Sequence, residues 1–323
     1  MIAPPDGSRG DAAGRDPSAL FAPLALPGKL TLPNRIVMAP MTRERAPDGV
    51  ATSEIAAYYG RRAAGGVGLI LTEGTPIDAA GAFSPAVPRF YGDDAFAGWA
   101  RVVAAVHEAG ARIMPQLWHV GAAHPSLIGM RDALVPGVRA LSPSGLAGPG
   151  RMVGAPMTVA EIERTIAAFG AAAAAARRLG FDGVEIHGAH GYLVDQFFWR
   201  ETNRRTDRYG GALVDRTRFA AELVRECRRQ AGTDFAISLR FSQWKQIDYE
   251  ARLMATPGEL ESFLRPAGRR RGGHLSLLDA PLLGTGLRRQ RPQPRGMDAT
   301  ALGQAGHRGR IGVAEQRVQV RPG

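Results

Sequence analysis

At 323 residues, 45% of them apolar and 22% charged, the chain has ordinary globular composition and room for one (β/α)8 barrel or two smaller domains. It contains no run of 18 or more uncharged apolar residues, which argues against a membrane-spanning helix, and its single cysteine, Cys227, excludes an internal disulfide and a cysteine-based metal centre. The net charge of +11 sits mostly in residues 267–323, which hold 11 Arg, no Lys and three acids and leave +3 for the rest.

Residues 1–18 are rich in Pro, Gly, Asp and Arg and lack an apolar stretch. They read as a disordered extension or an over-called start codon rather than a signal peptide. From there to residue 266 the pattern is strand then helix, repeated. Residues 35–39 are strand-like, 53–64 helical, 67–72 (VGLILT) a strand, 94–109 a helix and 112–118 (RIMPQLW) a strand. A loop rich in Pro, Gly and Ser then runs to about 156 and reads as a lid or substrate loop. Thr158 with Glu161 three residues on forms a capping box, opening a helix that Gly180 ends. Residues 183–187 form a strand, 214–230 a helix, and 235–241 (FAISLRF) a strand. Cys227 falls on that helical pattern and reads as a small buried residue. Thr256 and Pro257 open a further helix.

Short apolar strands alternating with helices imply parallel βαβ units. An open doubly wound sheet would be expected to carry a glycine-rich phosphate loop after its first strand. Pro40-Met41-Thr42-Arg43 stands there instead. The expected fold is therefore α/β, a (β/α)8 TIM barrel with about five of its eight strands recognisable.

In a barrel the site lies just past the C-terminal strand ends. Those ends carry Pro40, Met41 and Thr42, then Glu73, Gly74 and Thr75, then Gln116, Trp118 and His119, then His187, His190 and Tyr192, and finally Arg240, Ser242 and Gln243. Two imidazoles can grip an oxygen, and a phenol beside them can donate a proton. No pair of carboxylates faces the mouth, which weighs against glycosidase chemistry and against Mg²⁺-dependent enolisation. Three histidines could ligate zinc; the reading preferred here has them bind an oxyanion, with no metal. Gln116 and Thr42 could instead satisfy strand-end backbone groups. Met41 could be core, and His119 could be a packing residue. The run Arg204, Arg205, Asp207 and Arg208 could simply fix its loop.

Five segments together, LTLPNRIVMAPMTR, GLILTEGT, PQLWHVG, HGAHGYLVDQFFW followed by TNRRTDRYGG, and LRFSQWKQ, resemble the old yellow enzyme family of FMN-dependent ene-reductases, over about residues 19–266. The resemblance implies that Pro40, Met41 and Thr42 line the flavin, with Thr42 near O4. It implies that Gly74 gives backbone contacts, that Gln116 bonds the pyrimidine edge, and that Arg240 places its charge near N1 and O2. His187 and His190 would hold a substrate carbonyl, Trp118 would shape the pocket, and Tyr192 would protonate Cα after hydride reaches Cβ. The implied function is reduction of activated C=C bonds in small enones, enals or nitro compounds, with NADH or NADPH as reductant. A cytoplasmic protein is expected, with neither membrane nor nucleic acid as partner; a homo-oligomer stays open.

The family has further strands beyond residue 266 that grip the FMN phosphate. Here an Arg-rich tail stands in their place. Such a tail can bind nucleic acid through phosphates. A different reading explains its sequence better: residues 274–286 can be back-translated with codons that, shifted by one base with GA placed before them, give DIFHCSTRRFWEP, a strand-like run ending in polar residues. A frameshift near residue 267 is therefore expected. The alternative to an active enzyme is an inactive, truncated product of the same ancestry. The chain as written is expected to be poorly soluble and to purify largely without flavin.

Overall fold

The computed structural model describes residues 17–26, 29–82, 84–123 and 139–268. The expectations for residues 1–16 and 269–323, and for the middle of the proposed lid loop at 124–138, lie outside the described residues.

Nine strands, β1 (Leu24–Leu26), β2 (Leu30–Leu32), β3 (Val37–Met38), β4 (Leu69–Pro76), β5 (Arg112–Trp118), β6 (Leu146–Gly148), β7 (Arg151–Met152), β8 (Gly183–His190) and β9 (Ala236–Lys245), are described. The helices are α1 (Ser53–Ala64), α2 (Asp93–Glu108), α3 (Val159–Arg178), α4 (Leu193–Phe198), α5 (Leu213–Arg216), α6 (Arg218–Ala231) and α7 (Pro257–Gly268).

The main sheet runs β3-β4-β5-β8-β9, and every neighbouring pair is parallel. Helices separate each strand from the next, and spatial order follows chain order. A doubly wound sheet would reverse direction at a switch point; this sheet does not. It is a five-stranded part of a (β/α)8 barrel, as expected. Strands β3 and β9 are the outer members, each paired on one side among the described residues.

Local chemistry explains the helices. Thr52 Oγ1 accepts the Ile55 N–H to cap α1, which buries Ile55, Ala56, Tyr59 and Ala63. The capping box of α3 forms as predicted, with Thr158 and Glu161 each bonding the other's backbone N–H. Gly180, at φ 87°, takes the left-handed conformation that ends that helix.

Five features differ from expectation. A β1–β2 hairpin precedes the first barrel strand. Its Leu30 and Leu32 pack with Leu69, Leu71, Met114 and Ala236 from β4, β5 and β9. The long loop contains the antiparallel β6–β7 pair. The six-residue α4 follows Tyr192 directly, with all its residues buried. The helix expected over 214–230 breaks at Thr217, where Arg216 turns inward to donate to the carbonyls of Phe198 and Gly211. The last helix runs to Gly268, two residues past the expected barrel limit.

Candidate active site

The strand register decides which side chains meet. Gly74 pairs with Gln116, Gln116 with Glu185, and His187 with Arg240. Residues two apart on a strand share a face. Gln116 and Trp118 therefore stand beside Glu185 and His187, with Arg240 next to them.

Glu185 joins these rows. Its Oε1 accepts from Gln116 Nε2 at 2.8 Å and from Arg240 Nε at 2.8 Å. Its side chain is 3% exposed. The sequence reading missed Glu185. The available signal was a lone acid inside an apolar run, two residues before His187 and hence on its face.

Within the C-terminal half of β8, His187 sits with its ring centroid 5.0 Å from Tyr192, 5.3 Å from His190 and 6.2 Å from Trp118. Its Nδ1 is buried and makes no hydrogen bond. A buried polar atom left unpaired costs stability, and at a site it marks a place for a ligand. Burial, reinforced by His190 and Arg240, holds the His187 imidazole well below its usual range. Burial, together with Arg240 and Lys245, pushes His190 down to about 4. Both rings are thus neutral at pH 7, each with one N–H to donate. Burial raises the Tyr192 phenol, offset in part by the bond it receives from Gln246 Nε2 at 3.1 Å. Tyr192 stays protonated and can act as an acid.

His190 is held in a strained conformation, φ 64°, at a register shift between Gly188 and His190. Three contacts fix it. Its N–H donates to Ser242 Oγ at 2.9 Å, its carbonyl accepts the Gln246 N–H at 3.2 Å, and its ring stacks on Trp244 at 4.6 Å. A small pocket opens beside it, lined also by Ala123, Arg151, Gln246 and Ile247.

The loop after β3 is anchored from behind. Glu73, wholly buried, accepts from the Arg43 guanidinium at 2.6 Å, the Arg43 N–H at 3.2 Å and the Tyr59 hydroxyl at 3.3 Å. The anchor leaves the neighbouring Met41 and Thr42 exposed and Pro40 half-buried. Met41 is thus not a core residue. Gly74 has a reason beyond any ligand: a Cβ there would stand 2.6 Å from the Trp118 indole.

His119 is buried, and its Nδ1 accepts the Gly121 N–H at 3.0 Å. Among the described residues no group of three or more His, Cys, Asp or Glu is arranged to hold a metal ion. Arg205 pairs with Asp207 and donates to the carbonyls of Pro143 and Met157, which fixes its loop. Cys227 is buried, with its thiol on the Phe169 carbonyl.

Residues 19–279 match the model of the NADH:flavin oxidoreductase / NADH oxidase family. The chain is 38% identical to 12-oxophytodienoate reductase 7 of Oryza sativa subsp. japonica, over 74% of this chain and 61% of that protein. Morphinone reductase in complex with tetrahydroNAD superposes with a TM-score of 0.67 at 34% identity, covering 77% of this chain and 70% of that one. The old yellow enzyme homologue from Zymomonas mobilis gives a TM-score of 0.67 at 34% identity, covering 77% and 69%. The chain spans about three-fifths of the length of the curated relatives it matches. With its barrel strands in the same arrangement and its sequence matched from residue 19 to 279, the chain belongs to the NADH:flavin oxidoreductase family of the old yellow enzymes.

Proposed function

We propose that this chain is an FMN-dependent oxidoreductase that reduces the activated C=C bond of a small α,β-unsaturated carbonyl compound, with NADH or NADPH as the hydride source. The observation that carries this reading is His187, whose buried, unpaired Nδ1 sits in ring contact with His190, Tyr192 and Trp118.

The residues fit a flavin ring. Gln116 and Arg240 each give one donor to Glu185, and neither the Gln116 amide oxygen nor the terminal Arg240 nitrogens bond to another described residue. That leaves an acceptor and a cation for the pyrimidine edge of the ring. Pro40, Met41 and Thr42 supply an accessible loop for the other side, and Gly74 backbone contacts. When bound, FMN supplies the hydride and NADH or NADPH renews it.

The chain's own groups do the rest. His187 and His190 donate to the substrate carbonyl oxygen, where negative charge grows as hydride adds. One such donor is worth about 3–4 kcal/mol in comparable oxyanion sites. Tyr192 donates its phenolic proton to Cα. Trp118 walls the pocket and holds the substrate against the strand ends. The resemblance puts the phosphate grip beyond residue 266, in sequence that reads as frameshifted. We assign residues 19–266 to ring and substrate recognition on that basis. The purified chain, supplied with FMN and NADPH, is expected to consume NADPH on addition of 2-cyclohexenone. NADPH consumption that ignores the enone would sink this reading.

A further inference from the structure

Resting on the flavin reading above, we infer that Glu185 is a specificity-determining positioning residue: it sets the donor and acceptor polarity with which Gln116 and Arg240 meet the ring, so that the site selects a –CO–NH–CO– edge with a free N–H.

The argument is one of valence. An amide side chain can present either its NH₂ or its oxygen to a ligand, and burial alone does not decide which. Glu185 decides it. Ion-paired with Arg240, it is an acceptor only, so Gln116 must turn its NH₂ toward it. The Gln116 oxygen then faces away from Glu185 as a fixed acceptor. Arg240 spends Nε on the same carboxylate oxygen, which pins the plane of its guanidinium and leaves terminal N–H groups as fixed donors. An acceptor beside a pair of donors complements a ring edge in which an imide N–H stands next to a carbonyl oxygen. Without Glu185 the Gln116 amide could turn over, and the site would accept the opposite pattern.

Burial makes the arrangement stiff. Glu185 is 2% exposed and Gln116 3% exposed, so water does not compete for either group. The pairing of Gln116 with Glu185 across β5 and β8 sets their separation through the backbone.

The test is a binding titration of the full chain with lumiflavin and with its N3-methyl analogue, which cannot donate at N3. Neither carries a phosphate, so the readout reports the ring alone. The wild-type chain is expected to prefer lumiflavin by about tenfold, the effect of one hydrogen bond. In Glu185→Gln that preference disappears. In Gln116→Leu it also disappears, and adding Glu185→Gln changes it no further. If Glu185→Gln weakens both ligands equally and the preference stays, Glu185 is merely structural and the proposal is overturned. If Gln116→Leu, which leaves the Glu185–Arg240 pair in place, keeps the preference, the proposal is overturned even should Glu185→Gln fail to fold. If the wild-type chain binds neither ligand, the flavin reading fails and this inference with it.

Discussion

Lys245 and Asp195 form an ion pair 2.8 Å long with both side chains wholly excluded from solvent. Lys245 also donates to the Ser242 carbonyl at 3.2 Å, and Asp195 accepts the Gly191 N–H at 2.7 Å. The pair therefore ties the end of β9 to the turn that carries His190 and Tyr192. Removing one partner of a buried pair strands the other charge, at a cost of about 3–5 kcal/mol. Lys245→Met should lower the unfolding free energy from urea titration by that amount, and Lys245→Met/Asp195→Leu should recover part of it. Equal losses in the single and double variants would show that the pair does not act as a unit.

The two site histidines give the fold a pH dependence. Unfolded, each takes up a proton as pH falls below about 6.5. Folded, His187 resists protonation well below that value and His190 down to about 4. Their contribution to stability is thus complete above pH 6.5 and is lost as pH falls toward 4. Each costs at most about 1.4 kcal/mol per pH unit in that window. Urea midpoints between pH 7 and 4 should fall more steeply for the wild type than for His190→Asn. Identical slopes would mean that His190 titrates normally in the folded protein.

Tyr192→Phe removes the proposed acid and keeps the ring that contacts Trp118 at 4.9 Å and His187 at 5.0 Å. Enone reduction should slow by about 10²–10⁴-fold, while NADPH oxidation with oxygen as acceptor continues unchanged. Loss of both activities together would point to a damaged pocket rather than a missing proton.

Gly74→Ala places a methyl 2.6 Å from the Trp118 indole. Overpacking of this kind costs about 1–3 kcal/mol. The indole must move, so both the melting temperature and the tryptophan fluorescence should change. An unaltered spectrum with full stability would show that the β4–β5 contact relaxes without disturbing the pocket wall.

Much of this architecture is visible in the sequence because local chemistry states it. Thr158 and Glu161 announce a helix start, and the apolar run at 112–118 becomes β5 with the predicted limits. The β/α alternation located the strands that carry the candidate residues, but only β5 among them ends where predicted; β4, β8 and β9 run on to Pro76, His190 and Lys245, so most of the candidates read as lying past strand ends stand within the strands. Glu185 was not readable, since a single carboxylate in an apolar strand has meaning only once Gln116 and Arg240 lie on either side. Lys245 and Asp195 are 50 residues apart, and nothing local pairs them. The β1–β2 hairpin has a weak signal, Leu-Ala-Leu and Leu-Thr-Leu around Pro-Gly-Lys, in strands too short for alternation to stand out. Helix α4 is a six-residue segment, LVDQFF, too short for its apolar period to be told from that of a strand.

The most direct measurement is the visible absorbance of two purified proteins: the chain as written, and one in which the reading frame is shifted by one base after residue 266. The account predicts a flavin band near ~450 nm in the frame-shifted protein as purified, bleached by NADPH and restored by 2-cyclohexenone. In the chain as written it predicts the band only when flavin is added. Absence of bound flavin from both proteins, with flavin supplied, would contradict the assignment of residues 19–266 as a flavin-ring site.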